Sequence, residues 1–247
     1  MKPPRNIKLV LAFDGTCYHG WQIQKHQKTI QGELREAIRV TTGEPICPVG
    51  SGRTDAGTHA RGLVAGFATV SAISAPNLVR ALNSRLPPDI RILSAREVPA
   101  DFHARRSARS KVYRYQIYRG TVMPPHLARE FFHYPYPVQM ERMEQAAALF
   151  VGPHDFASFA AKGGGRKNTV RHIYGCRLKS TGRRLALTVE GNGFLHHMIR
   201  NMIGTLLELG RGQMTMPAFE ALFDRRDRTQ AGFTAPAHGL ILLKVRY

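Results

Sequence analysis

The stretch Ile46-Cys-Pro-Val-Gly-Ser-Gly-Arg-Thr-Asp-Ala-Gly-Thr-His-Ala-Arg-Gly-Leu-Val-Ala-Gly-Phe-Ala-Thr-Val70 decides the fold. Its ends, Ile46–Gly50 and Leu63–Val70, read as short strands, and the glycine-rich segment between them joins strand to strand with no helix in between. Upstream, Asn6–Phe13 alternates as a strand, and Thr29–Thr41 has helical spacing that stacks Ile30, Leu34 and Ile38 on one face. Downstream, a helix over Ala75–Leu86 stops at Pro87-Pro88, and a strand over Ile90–Val98 follows. The order is β-α-β-β-α-β, the split arrangement of ferredoxin-like folds.

The same order recurs in the rest of the chain. Lys111–Tyr118 reads as a strand and Met140–Phe150 as a helix; strands follow at Val170–Leu178 and Leu185–Glu190. A long helix over Phe194–Leu209, a shorter one near Pro217–Phe223 and a strand over Leu240–Val245 complete it. No residue-level repeat accompanies the repeat of elements. The expected fold is therefore α/β (α+β), with two ferredoxin-like halves, residues 1–103 and 104–247, meeting near Phe102–Ala104.

Composition narrows the class. Hydrophobic residues make up 43% of the 247, enough for a core, so a wholly disordered chain is excluded. The apolar runs fall far short of the roughly 20 residues of a membrane span. The first of them, Leu9 to Phe13, runs into the Asp14-Gly15 turn, so no signal peptide and a cytoplasmic setting are expected. Cys17, Cys47 and Cys176 form no CxxC pair, which excludes a disulfide framework or Cys-rich zinc site and predicts reduced, half-buried thiols.

Charge points to a partner. Lys and Arg number 36 against 17 Asp and Glu, a net charge of +19, and 27 of the 36 are arginine. Arginine's planar fork pairs with phosphate and stacks on bases, although a GC-rich genome also inflates its use. The excess is uneven: 13 basic against 8 acidic side chains up to residue 103, and 23 against 9 beyond it. Phe102–Arg119 and Lys162–Arg184 carry six and eight basic residues with no acid. The second includes Lys162-Gly-Gly-Gly-Arg-Lys167, whose glycines let backbone approach a phosphate chain closely.

Chemistry has few places to sit. The loop Gly50-Ser-Gly-Arg-Thr-Asp-Ala-Gly57 sets one carboxylate, Asp55, between glycines and two residues after Arg53. Taken alone, an aspartate there is a turn former; held ionised by a cation on a rigid turn, it is a nucleophile. No GxGxxG or P-loop is present, so no nucleotide cofactor is expected. Asp55 has no Asp or Glu within ten residues on either side, which argues against a metal-dependent nuclease. His196-His197 reads as lying on an apolar helix, at the wrong spacing for a zinc protease pair, and no metal is expected. Tyr113-Arg-Tyr115 offers either sheet packing or aromatic faces for an unstacked base. A non-catalytic RNA-binding protein is the competing reading, and it gives an acid inside a basic surface no purpose.

Seven motifs run nearly end to end: Phe13-Asp-Gly-Thr-Cys-Tyr-His-Gly-Trp-Gln22, Gly52-Arg-Thr-Asp-Ala-Gly57 with His59, Ala81-Leu-Asn83 with Leu86-Pro87, Phe102-His-Ala-Arg105, Lys111-Val-Tyr-Arg-Tyr115, Phe194-Leu-His-His-Met-Ile-Arg-Asn201 and Thr234-Ala-Pro-Ala-His-Gly-Leu240. Together they resemble the tRNA pseudouridine synthase A (TruA) family. The resemblance implies an isomerase that converts uridine to pseudouridine at positions 38 to 40 of the tRNA anticodon stem-loop. It implies a homodimer of pseudouridine-synthase-type fold, with an RNA cleft between the two halves and no cofactor. By the same likeness Asp55 attacks either the ribose or the uracil ring. Tyr113 stacks on the flipped base and is the candidate to take the C5 proton; Arg200 is the cation paired with Asp55. Arg53 fills the space of the extruded base or holds its phosphate, and Leu240 packs under the ring. Phe102, His103, Ala104, Arg105, Arg106, Lys162, Arg166 and Lys167 complete the expected RNA-binding set. Leu63, Gly66, Thr58 and Phe233 stand where members commonly have Gln, His, Val and Pro, and they touch none of the Asp, Tyr or Arg positions.

Overall fold

The computed structural model describes residues 3–161 and 168–247. The chain forms two compact units, Met1–Arg109 with Leu242–Tyr247, and Ser110–Ile241.

The first unit runs β1 (Arg5–Phe13), α1 (Ile30–Thr42), β2 (Val49–Gly50), β3 (His59–Thr69), α2 (Ala75–Asn83) and β4 (Ile90–Val98). Strand β1 lies between β4 and β3, antiparallel to both, and β2 pairs antiparallel with β3. Alternation on β1 sends Ile7, Leu9 and Leu11 into the core, where each is fully buried. Leu11 pairs with Leu63 of β3 and Ile92 of β4, so the three strands present one apolar face. Burying a side chain of this kind contributes about 1.5–3 kcal/mol. The Thr29 hydroxyl caps α1 by accepting from Gly32 N–H, which is why the helix begins at Ile30.

The second unit runs β5 (Ser110–Tyr118), β6 (Phe132–His133), α3 (Met140–Ala148), β7 (Gly152–Asp155), β8 (Val170–Thr181), β9 (Arg184–Gly191), α4 (Met198–Gly210), α5 (Met216–Glu220) and α6 (Leu222–Arg225). It also holds the first two residues of β10 (Leu240–Arg246). The antiparallel order is β5-β9-β8-β7, with β6 parallel to β5. Tyr115, Ile117, Leu185, Leu187 and Val189 form its buried face, and α3 packs against α4 and β8. Phe150, Phe156, Phe159, Phe219 and Phe223 make an aromatic cluster beneath α5 and α6.

The first unit has the expected β-α-β-β-α-β order; the second adds β6 and β7, and of its expected closing strand, β10, only Leu240 and Ile241 belong to it, Leu242–Tyr247 falling in the first unit. Strands β6 and β7 are too short to leave a periodic signature. Strand β2 shrinks to two residues. Helix α4 starts at Met198, four residues later than the apolar spacing predicts, because His197 adopts a left-handed backbone (φ 60°) that no helix can pass through. The His196-His197 pair therefore precedes the helix instead of lying on it. Residues 104–109 stay with the first unit: the Asn6 side chain donates to Phe102 O at 2.9 Å, and Arg109 N–H donates to Arg246 O at 2.8 Å. Cys17 and Cys47 are exposed, contrary to the expected half-burial, and burial of Cys176 pushes its thiol pKa up to about 12. Among the described residues no helix is long and apolar enough to cross a membrane.

Candidate active site

Asp55 sits half-buried on the turn between β2 and β3. That turn is fastened at both ends and in the middle. Ser51, fully buried, donates its N–H to Val64 O at 2.7 Å, and its hydroxyl accepts from Val64 N–H at 3.3 Å. Trp21 N–H donates to Thr54 O at 3.2 Å and Gly57 N–H to Tyr18 O at 3.2 Å, while Thr58 N–H closes the turn on Asp55 O at 3.1 Å. The segment Phe13–Gln22 is therefore the buttress of the aspartate loop. Gly20 shows why: its φ is +80°, and a Cβ there would lie 2.4 Å from Thr54 O. The buttress is itself tied down. Tyr18 donates its hydroxyl to the Asp89 carboxylate at 2.6 Å, and buried His59 places Nδ1 3.1 Å from both Gly15 N and Asp14 Oδ1. The hydroxyls of Thr54 and Thr58, on either side of Asp55, are buried with no hydrogen-bond partner among the described residues. Arg53, on the same turn, is exposed.

A second element of the first unit carries expected RNA-binding residues. His103 Nδ1 accepts from Arg105 N–H and Arg106 N–H, both at 3.2 Å, making a tight turn that leaves both arginine side chains exposed. Ala104 is buried, and its carbonyl accepts the Tyr247 hydroxyl at 2.7 Å. Phe102 packs on the Tyr247 ring at 5.0 Å. Lys8, only 6% exposed, lies over Tyr247 at 3.9 Å, and burial, with Arg96 beside it, lowers its pKa.

In the second unit, Tyr113 is 7% exposed on β5 and meets Phe194 edge-on at 5.2 Å. Two residues along, the fully buried Tyr115 donates its hydroxyl to Pro236 O at 2.6 Å, and burial raises its pKa. Arg200, in the first turn of α4, donates Nε–H to Ala235 O at 2.7 Å and accepts Ala235 N–H at 3.1 Å. Ala235 and Pro236 are consecutive, so Arg200 and β5 grip adjacent carbonyls of the irregular segment that leads, through a short 3-10 turn at Ala237–Gly239, to Leu240, itself buried at the start of β10. Tyr113, Arg200 and Leu240 are thereby brought onto one framework. The sequence marks Tyr115 only as a packing or stacking residue and Ala235 only as a motif member, and it gives neither a place in this framework. Lys162, Arg166 and Lys167 lie outside the described residues.

A family model described as tRNA pseudouridine synthase matches residues 9–105 and 146–247. The chain is 42% identical over 243 residues to tRNA pseudouridine synthase A of Acetivibrio thermocellus, covering 98% of this chain and all of that one. It is 44% identical over 250 residues to the protein of that name from Solibacter usitatus, again over 98% and 100%. The Lacticaseibacillus casei protein of that name is 44% identical over 245 residues, 98% of this chain and 99% of its own. Among solved structures, a chain of a Cbf5-Nop10-Gar1 complex overlaps 81% of this chain and 54% of its own, at TM-score 0.34 and 12% identity, a likeness too loose to add to the assignment. Nearly the whole length is matched by proteins of one description. The chain belongs to the tRNA pseudouridine synthase family.

Proposed function

We propose that the protein isomerises uridine to pseudouridine in the anticodon stem-loop of tRNA, at positions 38 to 40, working in the cytoplasm as a homodimer without metal or cofactor. The observation that carries the reading is Asp55, held on a turn fastened by backbone hydrogen bonds to a segment that belongs to the same set of family motifs. Asp55 is the nucleophile, attacking ribose or base. Tyr113 stacks on the flipped uracil and takes the C5 proton, and Leu240 packs under the ring. Arg200 supplies the positive charge that favours the ionised carboxylate. Arg53, with Phe102–Arg106 and Lys162, Arg166 and Lys167, binds the RNA. The N1–C1′ bond breaks, C5 bonds to C1′, the C5 proton leaves and N1 ends protonated, so the atoms balance without a co-reactant. Flipping the base costs a few kcal/mol, which stacking and arginine contacts offset.

Tritium release from tRNA labelled at uridine C5 tests the activity. Release is expected with and without exhaustive chelation. Absence of release from every unmodified tRNA would overturn the reading, and loss restored by added metal would overturn its metal-free form.

A further inference from the structure

Arg200 sits in more buried hydrogen bonding than a surface arginine needs. Asn201, next to it on α4, is fully buried, and its side chain is engaged at both ends. Its Nδ2 donates to Phe159 O at 2.7 Å; its Oδ1 accepts from Arg228 Nη2 at 3.0 Å and from the Thr234 hydroxyl at 2.7 Å. Arg228 Nη2 also donates to Thr234 Oγ1 at 3.0 Å, and Nη1 donates to Ala231 O at 3.0 Å. These hydrogen-bond partners are all neutral oxygens; burial lowers the Arg228 pKa, and the negative charge of Glu208 offsets part of that cost. Thr234 is followed directly by Ala235, the residue that takes Arg200 Nε–H and returns its own N–H. Along the same stretch Gly232 N–H donates to Thr205 Oγ1 at 3.0 Å and Phe233 N–H to Glu208 Oε1 at 2.9 Å. The fit is close enough that a Cβ on Gly204 would lie 1.8 Å from Phe233 O. The planar fork of Arg228 binds three acceptors from two nitrogens, which a lysine ammonium cannot reproduce.

We propose that Arg228, Asn201 and Thr234 are positioning residues that fix the Ala235 carbonyl and, through it, the orientation of the Arg200 guanidinium. This rests on the reading of Arg200 as a participant in the reaction. Each of the three acts through another group and none is a catalytic residue. Removing the Thr234 hydroxyl takes one donor from Asn201 Oδ1 and one acceptor from Arg228, so the stretch that carries the Ala235 carbonyl loses its tie at the residue next to it while the charged side chains are unchanged.

The test compares Thr234→Val, which keeps the shape and loses the hydroxyl, with Thr234→Ser, which keeps the hydroxyl. Two readouts are taken: hydrogen exchange of the Arg200 Nε–H by nitrogen-15 NMR, assigned with Arg200→Lys, and kcat and KM on unmodified tRNA. In Thr234→Val, exchange should accelerate and kcat should fall, each about tenfold or more, with KM within about twofold; Thr234→Ser should restore both. Arg228→Lys should repeat the valine result by a second route should Thr234→Val not fold. Undiminished protection of the Arg200 Nε–H in Thr234→Val, or in Arg228→Lys where it stands in, would overturn the proposal; so would a Thr234→Ser variant as impaired as Thr234→Val. Lost protection with unchanged turnover leaves the positioning role standing and removes Arg200 from the chemistry.

Discussion

Asp55 and Arg200 are held in opposite ways. The aspartate turn is fixed by backbone: main-chain hydrogen bonds from Ser51, Trp21, Gly57 and Thr58, and a glycine that lets two chain segments touch. Arg200 bonds the Ala235 carbonyl, and the stretch that carries that carbonyl is tied down by side chains, Asn201, Thr234 and Arg228, with Tyr115 gripping the next carbonyl. A backbone-held site tolerates changes of side chain around it and fails when a glycine gains a Cβ. A side-chain-held site tolerates none of its partners being shortened, yet each loss is partial.

The largest effects should come where the two modes share a weakness. Gly204→Ala places a Cβ against the Phe233 carbonyl, and Gly20→Ala forces a left-handed residue into Thr54 O. Each is expected to cost about 3 kcal/mol or more by urea unfolding, above the usual overpacking range because the obstructing atom is backbone. A loss below about 1 kcal/mol at Gly20 would mean that the aspartate turn is not fastened to its buttress.

Tyr115→Phe sharpens the comparison on the arginine side. It leaves the ring buried and takes the donor from Pro236 O, which should cost about 1–3 kcal/mol. An unchanged melting curve would mean that the Pro236 carbonyl finds another donor.

Smaller again is the contribution of single surface charges. Replacing Arg105 and Arg106 together by Ala should lower the salt dependence of tRNA affinity by a slope of about 1.5, if each neutralises one phosphate. No change in slope would place both side chains off the RNA path.

The smallest effect concerns Lys8. Its pKa is lowered in the folded protein, so in the alkaline range below the ordinary value of 10.5 the unfolded chain binds more protons, and raising the pH through that range stabilises the fold. Lys8→Met should lose this rise, seen as a flatter difference in unfolding free energy between neutral and alkaline pH. A difference that grows with opposite sign would contradict the burial of the ammonium.

The same contrast explains what could be read from the sequence. Leu9, Leu11, Leu63 and Ile92 lie on strands that alternate at period two, and Ile30, Leu34 and Ile38 recur at helical spacing, so the order of elements in the first unit is legible. The glycines around Asp55 marked a tight loop. What they did not reveal was that Tyr18 and Trp21, some 35 residues upstream, brace it. The start of α4 was missed because a single left-handed residue, His197, interrupts apolar spacing that continues on both sides. Strands β6 and β7 exist through pairing with β5 and β8, a tertiary cause that two to four residues cannot announce. Arg228 was invisible as a supporting residue: its partners Asn201 and Thr234 lie 27 and 6 positions away, and only folding joins them.

The central claim is that Asp55 does chemistry on a turn that folds without it. Asp55→Asn keeps the side chain's shape and its ability to form turns while removing the charge and most of the nucleophilicity. Pseudouridine formation in unmodified tRNA, tRNA affinity and melting temperature, measured on wild type and variant together, give the decision. Turnover should vanish, while melting stays within about 2 °C and affinity holds or tightens, since a negative group leaves a surface that binds phosphates. Retained turnover in the Asp55→Asn protein would contradict the account.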